Sequence, residues 1–558
     1  MQQSADDFVN VSSHLEAMAQ IQPYKRAVVY PVSRDKSGRN VAYSHLTFGQ
    51  LAEESDRIAA GLDRTGIRRG TRTVLMVKPG PDFFALVFAL FKTGAVPVVV
   101  DPGMGIKRML SCLGSTKPEA FIGIPLAHIL RRIFPGFFKT VRIWITVGHR
   151  LFWGGHTLDG IRSGAAESCP AIATKRDDTA AVLFTTGSTG PAKGAVYTHG
   201  NFDAQIRHIK EHFRITPDEI DLPTFPLFAL FDPAIGMTAV IPDMDPTKPE
   251  HVNPEKIIEA VINQGVTNMF ASPALLNRVG RYGKSRGILL PSLKRVVSAG
   301  APVSLSNIKC FSSMLTGKAE IHTPYGATEA VPVTSIGSRE ILSETGKLSE
   351  QGNGICVGTP LNGIDVKIIG ISDEPIAAWS NDIIVPAGEI GEITVKGDLV
   401  TRQYFENPEA DALAKIKDGT GIRHRMGDLG KKDEKGRIWF IGRKNHRVIT
   451  SNGTLFTIPC EAIFNNHPEV FRSALVGIGK KPDQTPVICI EPEKDAKTDK
   501  KKLEKELLEI AGKNELTKDI KNILFCKSFP VDIRHNSKIF REKLAVWAEN
   551  KIVKQGGK

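Results

Sequence analysis

Cysteine is scarce and unpatterned in this chain: seven residues, at 112, 169, 310, 356, 460, 489 and 526, with no CxxC pair and no zinc-like spacing. That excludes a disulfide scaffold and a zinc ribbon. It leaves small core hydrophobes in a reducing cytoplasm as the expectation. Long hydrophobic runs are missing too, since Phe83–Phe91 is followed at once by Lys92 and Ala95–Val100 is interrupted by Pro97. Neither reaches the ~20 apolar residues of a transmembrane helix. The first residues, MQQSADDFVNV, are acidic and polar, unlike a secretory signal. No G-x-S-x-G elbow and no HExxH site occurs, so the usual serine-hydrolase and zinc-peptidase nucleophiles are excluded. Negative charge is in deficit, giving a net charge of +13. The excess cations are scattered and carry no nucleic-acid motif or interleaved aromatics, so nucleic acid is not an expected partner. An anionic nucleotide substrate, or peripheral contact with anionic lipid, suffices to explain the basicity.

What is present is ordinary globular material, 41% hydrophobic and 24% charged over 558 residues. A chain of that length outgrows a single core, and two or more domains are expected. An entry helix is predicted around Val11–Gln20 and a second over residues 47–61 with Thr47 as N-cap. Strand 73–77, helix 82–93 and strand 96–101 form a βαβ unit, which implies a parallel sheet covered on both faces. The order recurs, with strands at 120–124, 141–147, 180–185, 240–242, 268–271, 295–299 and 320–323 and helices at 254–264 and 305–315. From about Val357 the texture changes to short alternating segments with Gly at turns, predicting an antiparallel, barrel-like subdomain. The last hundred or so residues read as a small α+β domain whose Lys/Glu-rich helix 499–511 is a solvated face.

The stretch most suggestive of chemistry is LFTTGSTGPAKGAVY, residues 183–197. Between two apolar runs it offers Thr185, Thr186, Gly187, Ser188, Thr189, Gly190 and then Lys193. Glycines let backbone N–H groups turn toward an anion, while hydroxyls and one ammonium add donors where phosphate oxygens would sit. It is not a Walker loop, because Lys193 precedes the second glycine, Gly194. Three later motifs follow. Tyr325-Gly326-Ala327-Thr328-Glu329, preceded by VVSAGAP with Gly300 and Ala301, combines a flat ring, a hydroxyl and a carboxylate fit for Mg²⁺. Arg425-Met426-Gly427-Asp428 holds an aspartate of the kind usual in turns, and Arg443 lies in IGRK. Near the end, FPVDIRHNSKIF contains Lys538, which alone would be a solvated surface charge.

In this order the four motifs resemble the signature of the adenylate-forming superfamily, which includes acyl-CoA synthetases, peptide-synthetase adenylation domains and firefly luciferase. The resemblance implies a large α/β N-terminal domain with parallel sheets and a barrel-like subdomain, and a small mobile α+β C-terminal domain. The corresponding boundaries are 1–443, a hinge at 444–446, and 447–558. It implies ATP and Mg²⁺ as cofactors. Residues 185–190 and Lys193 would hold the β- and γ-phosphates, while Gly300, Ala301, Tyr325 and Gly326 would border adenine. Thr328 would meet the α-phosphate, Glu329 would bind the metal, and Asp428 and Arg443 would hold the ribose side. Lys538 would enter from the small domain to neutralise charge on the reacting oxygens.

Departures narrow the resemblance. Ala192 stands where relatives have proline, Ala229 replaces an aromatic or histidine gate, and the hinge reads GRKNHRV with Asn445 at the usual aspartate. Together with VVVDPGMG, IPCEAIF and the Lys538 segment, in which Ser537 replaces a glycine, these are similar to the olefin-biosynthesis branch of β-lactone synthetases. That branch implies a long-chain 2-alkyl-3-hydroxy acid as co-substrate and association with other enzymes of the same pathway. An ordinary fatty acyl-CoA ligase and a non-catalytic nucleotide-binding scaffold are the alternatives. No base for the hydroxyl is identified; His446 and His535 are candidates that read more naturally as structural residues.

Overall fold

The fold was described from a computed structural model covering residues 9–38, 40–163, 168–184, 192–493, 499–531 and 539–556. Two mostly parallel sheets of seven strands each carry the first three hundred residues. In spatial order the first runs His156–Thr157, Ile143–Thr146, Ala120–Gly123, Arg72–Met76, Val96–Val100, Thr179–Phe184 and Gly194–Thr198, with only the last pair antiparallel. The second runs Glu320–His322, Arg295–Val297, Asn268–Phe270, Ile220–Pro223, Thr238–Val240, Arg26–Arg34 and Val41–Thr47, again with one antiparallel pair at the end.

Local chemistry explains the helices between them. Thr47 and Gln50 form a reciprocal capping box at the start of Phe48–Thr65, an arrangement worth about 1 kcal/mol. The helix Pro81–Lys92 is apolar all round and buried from Phe83 onward. Its last residue, Lys92, is buried as well, and pairs with Glu16 at 2.5 Å and Asp56 at 2.6 Å, pinning the first helix, Ser13–Ile21, and the capped helix to it. A charge so placed is held by its partners, because breaking one pair would strand an ion away from water.

An antiparallel sheet follows in the order Tyr325–Ala327, Ala330–Ser335, Ile355–Pro360, Ile438–Arg443, Gly421–Lys432, Gly391–Lys396 and Asp365–Ile369, with Lys415–Asp418 paired to the longest strand. This is the expected antiparallel subdomain, but it begins at Tyr325, about thirty residues before the change of texture in the sequence. The remainder is a smaller α+β unit: a hairpin (Val448–Thr450 with Gly453–Leu455), a three-stranded sheet, and the helices Thr457–Asn465, Lys500–Gly512 and Arg541–Gly556. Leu503, Leu507 and Ala511 are buried on the Lys/Glu-rich helix, so its charged face is the outer one. All seven cysteines are unpaired, four of them buried. Among the described residues no helix is long and apolar enough to cross a membrane.

Candidate active site

The Tyr325 motif is a tight hairpin in which Ala327 pairs with Ala330, leaving Thr328 and Glu329 alone at the tip. Gly326 permits that turn, since a Cβ there would sit 2.6 Å from the Ala330 carbonyl oxygen and 2.9 Å from the Val331 side chain. Gly300 and Ala301 leave the neighbouring strand, which pairs Val297 with His322, so both segments emerge from one edge of the second sheet. Gly300 takes φ +94°, open to glycine and costly for other residues.

Asp428 is no turn residue. It lies within the strand Gly421–Lys432, in register opposite Arg443. Its Oδ2 accepts a 2.7 Å hydrogen bond from Tyr325 Oη, and its Oδ1 lies 3.1 Å from Arg443 Nε. Three residues far apart in sequence thus form one cluster around the buried Asp428, with Tyr325 and Arg443 half-buried. The Asp428 carboxylate holds the guanidinium firmly charged, while burial, reinforced by Asp428, holds the Tyr325 phenol protonated.

A second cluster surrounds Glu329. Its Oε1 accepts from Tyr404 Oη at 2.6 Å, and its backbone carbonyl accepts from Thr401 N at 2.9 Å and Thr401 Oγ1 at 3.2 Å. Two ammonium groups lie against the Tyr404 ring, Lys193 Nζ at 5.1 Å and Lys415 Nζ at 5.3 Å from its centroid. Lys415 donates to the carbonyl of Thr401 at 2.5 Å. Burial lowers the Lys415 ammonium to about 8; Lys193 pushes the same way, and Glu329 and Asp411 oppose. The strand Gly194–Thr198, which directly follows Lys193, also carries Tyr197, whose Oη donates to the carbonyl of Thr328. The segment after the Gly/Ser/Thr loop is therefore what docks Lys193 and the Thr328–Glu329 tip together. Tyr404 and Lys415 went unnoticed in the sequence, where no spacing or motif marks them, and Tyr197, at the end of the 183–197 stretch, was given no role there; their burial around the Thr328–Glu329 tip is what marks them.

Residues 185–190 and Lys538 lie outside the described residues. The strand Thr179–Phe184 ends at the edge where the first of these stretches begins. On either side of the second, Val531 and Ile539 form an antiparallel bridge, and Phe540 N donates to the carbonyl of Pro530 at 2.8 Å. Just beyond, buried Arg541 forks onto both oxygens of Glu461, at 2.5 and 2.9 Å, tying that segment to the helix Thr457–Asn465.

Lys444–His446 form a short 3-10 turn between the antiparallel sheet and the smaller unit. Lys444 Nζ reaches Glu392 Oε1 at 3.2 Å and the carbonyl of Ser372 at 2.7 Å, and the same carboxylate takes Arg425 Nη2 at 2.6 Å. Arg447 pairs with Asp373 at 2.5 Å. His446 is buried with Nε2 3.5 Å from Glu542, and burial lowers its pKa. Near Ala229, Phe228 packs on Phe270 at 4.4 Å, and Phe225 and Phe231 flank it.

A single carboxylate at a hairpin tip, with one oxygen held by Tyr404 and the other without a hydrogen bond among the described residues, suits a magnesium ion that takes its remaining ligands from phosphates and water. No cluster of three metal-ligating side chains occurs among the described residues.

The chain belongs to the AMP-binding enzyme family, whose model matches residues 15–405. Solved structures share the fold over nearly the whole chain: ATP-bound MatB from Rhodopseudomonas palustris superposes with a TM-score of 0.78 at 19% identity, covering 97% of this chain and 99% of that one. Among curated proteins it is 45% identical over 553 residues, 98% of this chain and 99% of the relative, to the olefin beta-lactone synthetase of Stenotrophomonas maltophilia. The protein of the same name from Xanthomonas campestris pv. campestris is also 45% identical, over 98% of each chain.

Proposed function

We propose that this enzyme joins a long-chain 2-alkyl-3-hydroxy acid to AMP and then closes the β-lactone, releasing pyrophosphate and AMP. The adenylation reading is carried by one observation: the convergence of Tyr325, Asp428 and Arg443 in one cluster, with Glu329 and Lys193 meeting at Tyr404 in another. The choice of acid rests on the relatives named as lactone synthetases.

In the first step a carboxylate oxygen attacks the α-phosphorus and the bond to the bridging β-phosphate oxygen breaks, with pyrophosphate leaving. Both reactants are anions, so stabilisation must come from fixed positive charge. In this reading Lys193 would meet the leaving phosphates, and Lys538 would neutralise charge on the reacting oxygens. Asp428 would accept from ribose hydroxyls beside the Arg443 guanidinium, and Tyr325 would offer its ring face to adenine. Glu329 would hold Mg²⁺, which when bound offsets charge on the phosphate oxygens. In the second step the substrate's own hydroxyl oxygen attacks the acyl carbon; the bond to AMP breaks and the hydroxyl proton leaves. An internal nucleophile has a high effective concentration, which offsets part of the ring strain. We further assign residues 1–443 and 447–558 as two domains hinged at 444–446, in association with other enzymes of the pathway.

Mass spectrometry of products from ATP, magnesium and a synthetic 2-alkyl-3-hydroxy acid tests the reading. The expected products are AMP, pyrophosphate and the lactone, with or without coenzyme A. An acyl thioester forming only with coenzyme A would refute the lactone step while leaving adenylation standing.

A further inference from the structure

One face of the molecule pairs exposed apolar side chains with unbalanced cations. No Asp or Glu occurs between Glu119 and Asp159, while Arg131, Arg132, Lys139, Arg142 and Arg150 all fall there. The helix Pro125–Ile133 is built with its apolar stripe outward. Leu126, Ile129 and Ile133, at i, i+3 and i+7, are 70%, 39% and 63% exposed, whereas Ala127 and His128 face the core.

Loop 147–155 adds Leu151 and Phe152, 52% and 76% exposed, with Arg132 lying 5.5 Å over the Phe152 ring. The underside is firm. His128 stacks on Trp153 at 5.2 Å and 9°, and Trp153 Nε1 donates to Thr146 Oγ1 at 2.9 Å. Arg132, Lys139, Arg142 and Arg150 are exposed, and no ion pair is formed by any of them among the described residues. Helix and loop follow the C-terminal ends of strands Ala120–Gly123 and Ile143–Thr146, the same sheet edge at which Thr179–Phe184 ends. Three strand spacings, about 14 Å, separate the first of these from the last.

We infer that this face docks on an anionic lipid bilayer, the apolar residues entering the headgroup boundary and the arginines meeting lipid phosphates. A second copy of the chain is a poor occupant, because a two-fold contact would set exposed cations such as Arg132 and Arg150 against those of the other copy. A bilayer satisfies both features at once: apolar insertion supplies one part of the attraction and each cation near the surface adds another. The inference goes beyond the reaction, since vesicle capture needs neither nucleotide nor acid.

The test is flotation of the full chain with phosphatidylcholine vesicles, with and without phosphatidylglycerol, at low and high salt. Wild type is expected to float with the anionic vesicles and to release as salt rises. Arg132→Ala/Arg150→Ala should lower the partition coefficient about 30-fold. Ile133→Ser/Phe152→Ser should weaken binding even at high salt, where the charges are screened. Unchanged thermal unfolding keeps misfolding out of either result. Absence of binding to anionic vesicles, or binding that both variants retain, overturns the inference. So does a dimer in lipid-free buffer that the Ile133→Ser/Phe152→Ser variant disperses, which would make the face a protein interface.

Discussion

Replacing Tyr404 by Phe removes one oxygen atom and nothing else from the cluster around Glu329. That oxygen makes a 2.6 Å bond to the Glu329 carboxylate, within the range of charge-assisted O–H···O⁻ bonds. Such bonds contribute about 1.5–3 kcal/mol. The Glu329 backbone stays fixed through Thr401, and the ring stays against Lys193 and Lys415, so the hairpin tip should not move. Only the carboxylate gains freedom. The expected outcome is a fall of about 10- to 100-fold in the maximal rate of ATP–pyrophosphate exchange. The magnesium concentration for half-maximal rate should rise, with KM for the acid unchanged. Urea unfolding should show a loss of no more than about 1–3 kcal/mol, the penalty for an acceptor left without its donor. Exchange at the wild-type rate, or a lower magnesium requirement, would refute the reasoning, since it would mean that Tyr404 competes with the cation instead of aiming its ligand.

Asp428→Asn removes the charge opposite Arg443 while keeping an acceptor for Tyr325; ATP affinity measured by calorimetry should fall at least tenfold, with AMP affinity falling in parallel. Lys415 titrates near 8 in the folded chain and near 10.4 when unfolded, so between those values the unfolded state holds the extra proton and stability rises with pH. The stability of wild type relative to Lys415→Met, from chemical unfolding at a series of pH values, should therefore increase by up to about 3 kcal/mol across that window. Asp221 and Asp232 are buried side by side, and both carboxyls are raised, by burial first; like-charge repulsion from Asp221 adds at Asp232. The stability they contribute is complete below the unfolded value near 4 and is lost as pH rises toward 7. Asp232→Asn should flatten the dependence of the melting temperature on pH over that range.

Much of the fold could be read from periodicity. The helix expected over 254–264 is found at Pro254–Gln264, and the Thr47 cap, the first βαβ unit and the Lys/Glu-rich helix of the small unit fall where pattern and capping chemistry put them. The hairpin Arg26–Arg34 with Val41–Thr47 went unread, because one strand includes Pro31 and the other buries none of its residues fully, which blurs alternation. Motif residues were legible singly, whereas their partners were not. Gly427 before Asp428 suggests a turn on local grounds, and resemblance alone set it on the ribose side; the register with Arg443 shows it within a strand. Tyr404 and Lys415 sit in unremarkable segments, and their meaning comes from desolvation, which a linear string does not record.

Glu392 serves two cations at once, Arg425 from its own sheet and Lys444 from the connector to the smaller unit. If the connector swings away, Lys444 departs into water while the acid keeps Arg425, so no bare carboxylate is stranded behind it. At this one contact the Glu392 seat stays neutralised by Arg425 whether or not Lys444 occupies it.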